Sequence, residues 1–100
     1  MKPLSKEGRD PLYRIEVKKR ALRVVPLLPP AHREHVIELI SMLETDPVPS
    51  RDFDIIKLEG YPSSYRVRLG GIRVVYKVDS VEHVITVSRI ESRGRAYKDL

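Results

Sequence analysis

The chain has no cysteine among its 100 residues. That excludes disulfide staples, thiolate metal sites and a cysteine nucleophile, and it fits a reducing compartment. No apolar run approaches the roughly 20 residues needed to span a bilayer. Met1 to Asp10 hold no apolar segment of the signal-peptide kind. A cytoplasmic protein with no membrane partner is the expectation. His32, His35 and His83 are not spaced as a metal set, Asp52 and Asp54 read as loop acids, and no Ser–His–Asp arrangement stands out. No metal and no small-molecule cofactor are expected. There is no internal repeat and no linker.

What is present is enough for one domain. A hydrophobic content of 41% supports a packed globule and is too high for a wholly disordered chain. Lys plus Arg number 19 against 14 Asp plus Glu, a net charge of +5. Between Lys57 and Lys98 there are nine basic residues (57, 66, 68, 73, 77, 89, 93, 95, 98) and four acidic ones (59, 79, 82, 91). This balance suits an anionic partner, either nucleic acid or an acidic protein.

Residues 1–11 lack periodicity and read as a flexible N-terminal arm, leaving 12–100 as the single domain. From Leu12 the pattern alternates, Tyr13, Ile15 and Val17 against Arg14, Glu16 and Lys18, which predicts a strand with one buried face. Ala21, Leu22, Val25 and Leu28 recur at helical spacing, but Pro26 makes that helix short, kinked or late in starting. Pro30 suits the first turn of a second helix over about 31–44, with Val36, Ile37, Ile40 and Leu43 as its apolar stripe. Asp54 to Leu58 is a short candidate strand. Tyr65, Val67 and Leu69 alternate with Arg66 and Arg68 up to Gly70-Gly71, a signal for a type I′ hairpin with φ above zero at both glycines. The return strand runs from Ile72 to Val78 and the last from His83 to Ile90. Glu91 to Leu100 reads as a basic tail, loop or one helical turn. The expected fold is α+β in the order β-α-α-β-β-β, with two helices packed on one face of an antiparallel sheet.

Side chains alternate across a strand. With Tyr65, Val67 and Leu69 facing the helices, Arg66 and Arg68 face away. Arg73 joins them from the paired strand, roughly 5–8 Å off at Cβ. Either the three simply point to solvent, or an anion relieves their repulsion. The planar fork of Arg suits a phosphate. Arg93 and Arg95 follow the last strand and can close this cluster. Tyr97 is either a tail anchor or a platform on which a base stacks.

These residues also resemble something known. Lys57-Leu58-Glu59-Gly60, then Tyr65-Arg66-Val67-Arg68-Leu69-Gly70, then Arg73-Val74-Val75-Tyr76, resemble the RelE/ParE toxin superfamily. The ending Arg93-Gly94-Arg95-Ala96-Tyr97-Lys98 is similar to that of the RelE branch, its archaeal members above all. The resemblance implies a metal-independent endoribonuclease that cuts mRNA in the ribosomal A site by attack of a ribose 2′-OH on the adjacent phosphate. It also implies a RelB-type antitoxin partner. By motif position, Arg66 and Arg68 would meet the scissile region and Arg73 its phosphate. Arg93 would stabilise or protonate the leaving oxygen, and Tyr97 would stack on or orient a base, or assist proton transfer. Lys57, Lys77, Arg95 and Lys98 would bind RNA around them. In the most familiar RelE type the positions of Arg66 and Arg68 are lysines, which can serve as bases. Arginine stays protonated above pH ~12, so proton acceptance falls to Tyr97, Lys98 or the ribosome, or the catalysis is electrostatic. Two other readings stay open: a ParE-like toxin that binds a protein target, and a catalytically inactive homologue that acts as a binding partner.

Overall fold

A charge-rich chain of this length must bury its apolar residues on one side of a sheet, and the alternation along residues 65–78 decides which side. The computed structural model describes residues 12–92. The expected arm (1–11) and most of the tail (93–100) lie outside the described residues. The elements are β1 (Arg14–Val17), α1 (Lys19–Leu22), a 3-10 turn (Val25–Leu27), α2 (Pro30–Leu43), β2 (Asp54–Lys57), β3 (Ser64–Leu69), β4 (Ile72–Asp79) and β5 (Val84–Ser92). The candidate strand at 54–58 is real, so four strands follow the helices. The last strand continues through Glu91 and Ser92, which the sequence reading had placed in the tail. No helix among the described residues is long and apolar enough to cross a membrane.

The five strands form one sheet in the order β1-β5-β4-β3-β2. The later strands pair antiparallel, as expected, but β1 lies parallel to β5, with Arg14 opposite Val84 and Val17 opposite Val87. The sheet is therefore mixed, not purely antiparallel. The two helices carry the chain from β1 at one edge of the sheet to β2 at the other, and β2, β3 and β4 complete the long connection that the parallel β1–β5 pair requires.

Proline shapes the helical layer. α1 stops after one turn, and Pro26 sits in the first positions of a separate 3-10 turn, where a missing N–H costs nothing. Pro30 opens α2 in the same way. Val36, Leu39 and Leu43 are its fully buried residues, with Ile40 half-buried. Ile37 is 59% exposed. It does not belong to the buried stripe; Leu39, two residues on, takes that place, three residues from Val36 and four from Leu43. Leu22, also expected to pack, is exposed because α1 ends there.

In the core these residues meet Val67, Leu69, Ile72, Val74, Tyr76, Ile85, Val87 and Ile90 from the sheet. Ile15 and Tyr65 are half-buried at its margin. The rings of Tyr65 and Tyr76 stack at 5.6 Å. The Tyr76 hydroxyl donates to the carbonyl of Pro47 at 2.8 Å, tying β4 to the loop after α2. Burial pushes the Tyr76 phenol above the usual tyrosine range, with Tyr65 and Asp46 adding to the effect. At the β3–β4 hairpin, Leu69 pairs with Ile72 across a two-residue turn. Only Gly70 has positive φ, +61°. That is the type II′ pattern rather than type I′, since II′ needs φ above zero at the first central residue alone.

Two outcomes test this packing. Leu39→Ala should cost about 2–5 kcal/mol, while Ile37→Ala stays within ~0.5 kcal/mol, as read by urea denaturation midpoints. Tyr76 holds its proton more tightly folded than unfolded, so its contribution is complete below the ordinary tyrosine pKa and declines above it. Wild-type stability should therefore fall as pH rises past about 10. Tyr76→Phe should remove that decline while lowering stability at neutral pH by about 1 kcal/mol.

Candidate nucleic-acid interface

Directly paired residues share a face of the sheet, so register alone assembles the surface opposite the helices. A first row crosses four strands: Asp54, Arg68, Arg73 and Glu91 are successive Cα partners. A second row contains Ile56, Arg66, Val75 and Arg89. A third contains Ser64, Lys77, Thr86 and Glu16. The structure thus gathers Arg66, Arg68, Arg73 and Lys77 as the alternation implied.

It does not bring Lys57 to them. Lys57 pairs with Tyr65, whose parity is that of the core face, so this lysine stands at the outer edge of the sheet on the helix side. It borders a shallow depression of about 440 Å³ formed with Glu59, Gly60, Tyr61 and Pro62. Arg93, Arg95, Tyr97 and Lys98 lie outside the described residues. In the chain they follow directly on β5, the strand that carries Arg89 and Glu91.

Three participants were missed in the sequence. Asp54 is not a loop acid. It begins β2 and accepts from Arg68 Nε and Nη2 at 3.1 and 2.9 Å. Arg89 and Glu91 reach this face because the β4–β5 register shifts between Val75 and Tyr76. Beyond that bulge Ile90, not Arg89, turns to the core. The signal was readable in the spacing of Ile85, Val87 and Ile90, where strict alternation breaks.

The charges divide unevenly. Three acids on this face are matched to arginines: Asp54 with Arg68 at 2.9 Å, Glu91 with Arg89 at 3.0 Å and Glu16 with Arg14 at 3.0 Å; Asp79, at the end of β4, accepts instead from the backbone N–H groups of Val81 and Glu82. Among the described residues, Arg66, Arg73 and Lys77 have no such partner. Arg66 and Arg73 are also half-buried, each on one of the two adjacent strands β3 and β4. Such a pair can grip an anion: two forks, each able to donate two hydrogen bonds at once, held by a rigid hairpin. Screening these unpaired charges should stabilise the free protein. Melting temperature should rise with added salt, and Arg73→Ala should reduce that rise, with little change in stability at high salt. A salt response equal in both proteins would contradict the repulsion.

No family model matches the chain. It is 39% identical over 87 residues to RelE1 of Methanocaldococcus jannaschii, a protein assigned as a toxin, covering 87% of this chain and 97% of that one. Among solved structures, the archaeal RelE–RelB complex from Pyrococcus horikoshii OT3 matches with TM-score 0.75 and 40% identity, over 83% of this chain and 97% of that one. The intact E. coli RelBE toxin–antitoxin complex matches with TM-score 0.68 and 26% identity, over 83% and 99%. Sequence identity over nearly the whole domain and a shared fold lead to one conclusion: the chain belongs to the RelE toxin family, in its archaeal form.

Proposed function

We propose that this chain is the toxin of a toxin–antitoxin pair and cuts mRNA in the ribosomal A site, without a metal ion. The observation that carries this reading is the unpaired cationic centre, Arg66 and Arg73 with Lys77, on an open sheet face whose three other arginines, Arg14, Arg68 and Arg89, are each paired with an acid. It is a seat for a phosphodiester on a rigid support.

In the reaction the ribose 2′-oxygen loses its proton and bonds to the adjacent phosphorus. The bond from phosphorus to the 5′-oxygen breaks, and that oxygen takes up a proton. The products are a 2′,3′-cyclic phosphate and a free 5′-hydroxyl. Negative charge grows on the phosphoryl oxygens and on the leaving oxygen. Fixed guanidinium groups stabilise it with little reorganisation. Arg66 and Arg68 would face the scissile region, Arg73 the phosphate and Arg93 the leaving oxygen. Arginines do not accept protons at neutral pH, so the base is Tyr97, Lys98 or a ribosomal group. Positioning and charge stabilisation supply much of the rate on their own. Arg95 and Lys98, with Lys77, would hold flanking phosphates. Lys57, on the other face, would contact RNA only at the sheet edge.

The same surface suits a RelB-type antitoxin, the partner present in the P. horikoshii complex. An acidic or amphipathic segment laid over Arg66, Arg68 and Arg73 would relieve their charge and block RNA together. A ribosomal target also places the protein in the cytoplasm.

Purified protein added to programmed ribosomes, with free RNA as control, tests the reading by mapping mRNA ends. Arg93→Ala should remain folded and bind ribosomes, yet cut about 100- to 1,000-fold more slowly. Arg93→Lys should recover only part of the rate, since it keeps the charge and loses the fork. Cleavage by Arg93→Ala at the wild-type rate would remove Arg93 from the site. Growth arrest with intact mRNA and damaged DNA would instead favour a ParE-like target, and no arrest an inactive binding partner.

A further inference from the structure

The row that crosses β2, β3, β4 and β5 runs acid, base, base, acid. Its two inner members, Arg68 and Arg73, are like charges directly opposite each other, an arrangement that pushes both side chains aside. The two acids do not respond alike. Glu91, next to Arg73, pairs along its own strand with Arg89. Asp54 pairs across strands with Arg68, and one carboxylate oxygen, Oδ2, receives both the Nε and Nη2 donors. Arg68 is therefore drawn toward β2, away from Arg73, with its guanidinium plane held at two nitrogens. The Nη1 donors are not used by Asp54. Arg73 keeps its whole fork.

We propose that Asp54 is a positioning residue, which orients the guanidinium of Arg68 toward RNA bound at Arg66 and Arg73 and holds Arg68 off its cross-strand neighbour Arg73. This rests on the RNA-cleaving reading above. Arg68 loses rotamer freedom before RNA arrives, so less order remains to be imposed at the reaction step. The cost is a carboxylate near the bound strand, which repels it. The two effects separate in kinetics: the carboxylate weakens binding and speeds the chemical step. Both partners are largely exposed, with side-chain accessibilities of 63% and 56%. Such a pair does little for stability, so its loss leaves the protein folded.

The experiment compares wild type, Asp54→Asn, Asp54→Glu, Arg68→Ala and the double variant Asp54→Asn/Arg68→Ala on programmed ribosomes. Asp54→Asn should bind at least as tightly as wild type and cut roughly 5- to 50-fold more slowly at saturation, below the ~100-fold that a 1 Å misplacement can cost. Asp54→Glu should restore part of the rate. In the Arg68→Ala background, Asp54→Asn should cost nothing further, because Asp54 acts through Arg68. A separate readout needs no activity: the Arg68 Nε–H proton should exchange slowly with water in wild type and rapidly in Asp54→Asn. Wild-type cutting by Asp54→Asn, additive losses in the double variant, or equal Nε–H exchange would each overturn the proposal. If wild type itself cuts nothing, the ribosomal reading fails, and the exchange of the Arg68 Nε–H alone decides the positioning, slow for it and fast against it.

Discussion

The register of the β3–β4 hairpin is the constraint on which everything else depends. A slip of one residue turns every side chain on a strand to the other face. Here it would carry Arg66 and Arg68 under the helices and lift Val67 into water, or do the same to Arg73 against Val74 and Tyr76. Burying guanidinium groups without partners is prohibitive, so the core and the candidate site exclude the same error from opposite sides. The turn pins the register with Gly70 at positive φ and Leu69 paired with Ile72. The His32 side chain lies close over it: a Cβ added at Gly71 would meet the imidazole at 3.4 Å. The start of α2 is thereby placed on the hairpin, and the candidate site inherits the rigidity of the core beneath it.

The arrangement of charge follows a related logic. Among the described residues of this face, paired arginines stand on β1, on β5 and, through Arg68, beside β2, whereas the unpaired cations Arg66, Arg73 and Lys77 stand on β3 and β4. A face uniformly positive would repel itself and hold nucleic acid indiscriminately. A face fully neutralised would hold none. Keeping the free charge on two central strands limits both the cost and the footprint. It leaves some stability unrealised at the site of action, a common feature of functional surfaces.

How much of this was legible in the sequence depends on whether a feature is local. The alternation from Tyr65 to Val78 announced the two central strands and the shared face of Arg66, Arg68 and Arg73, because period two is a property of neighbouring residues. Pro26 and Pro30 marked the broken first helix and the start of the second for the same reason. Ile37 was misjudged because a helix of mixed composition offers two plausible apolar stripes, and only the sheet beneath selects between them. Asp54 passed for a loop acid because its value lies in a partner fourteen residues away in the chain, found only once β2 and β3 are aligned. The bulge near Ser88 moved Arg89 and Glu91 onto the open face, and a strictly alternating reading cannot follow a bulge. The parallel pairing of β1 was beyond reach of local pattern altogether. Arg93 to Lys98 rest on the motif of the tail.

That parallel pairing has a consequence for how the molecule comes into being. β1 leaves the ribosome first and its neighbour β5 last, so Arg14 has no Val84 to meet until the chain is almost complete. The interval is filled by helices and a meander that order locally, while the outer strand waits. Contacts so distant along the chain slow the final closure. The sheet therefore closes only after Val84 to Val87 have been synthesised. The order of its strands sets a delay between the synthesis of β1 and the closing of the sheet that carries the candidate site.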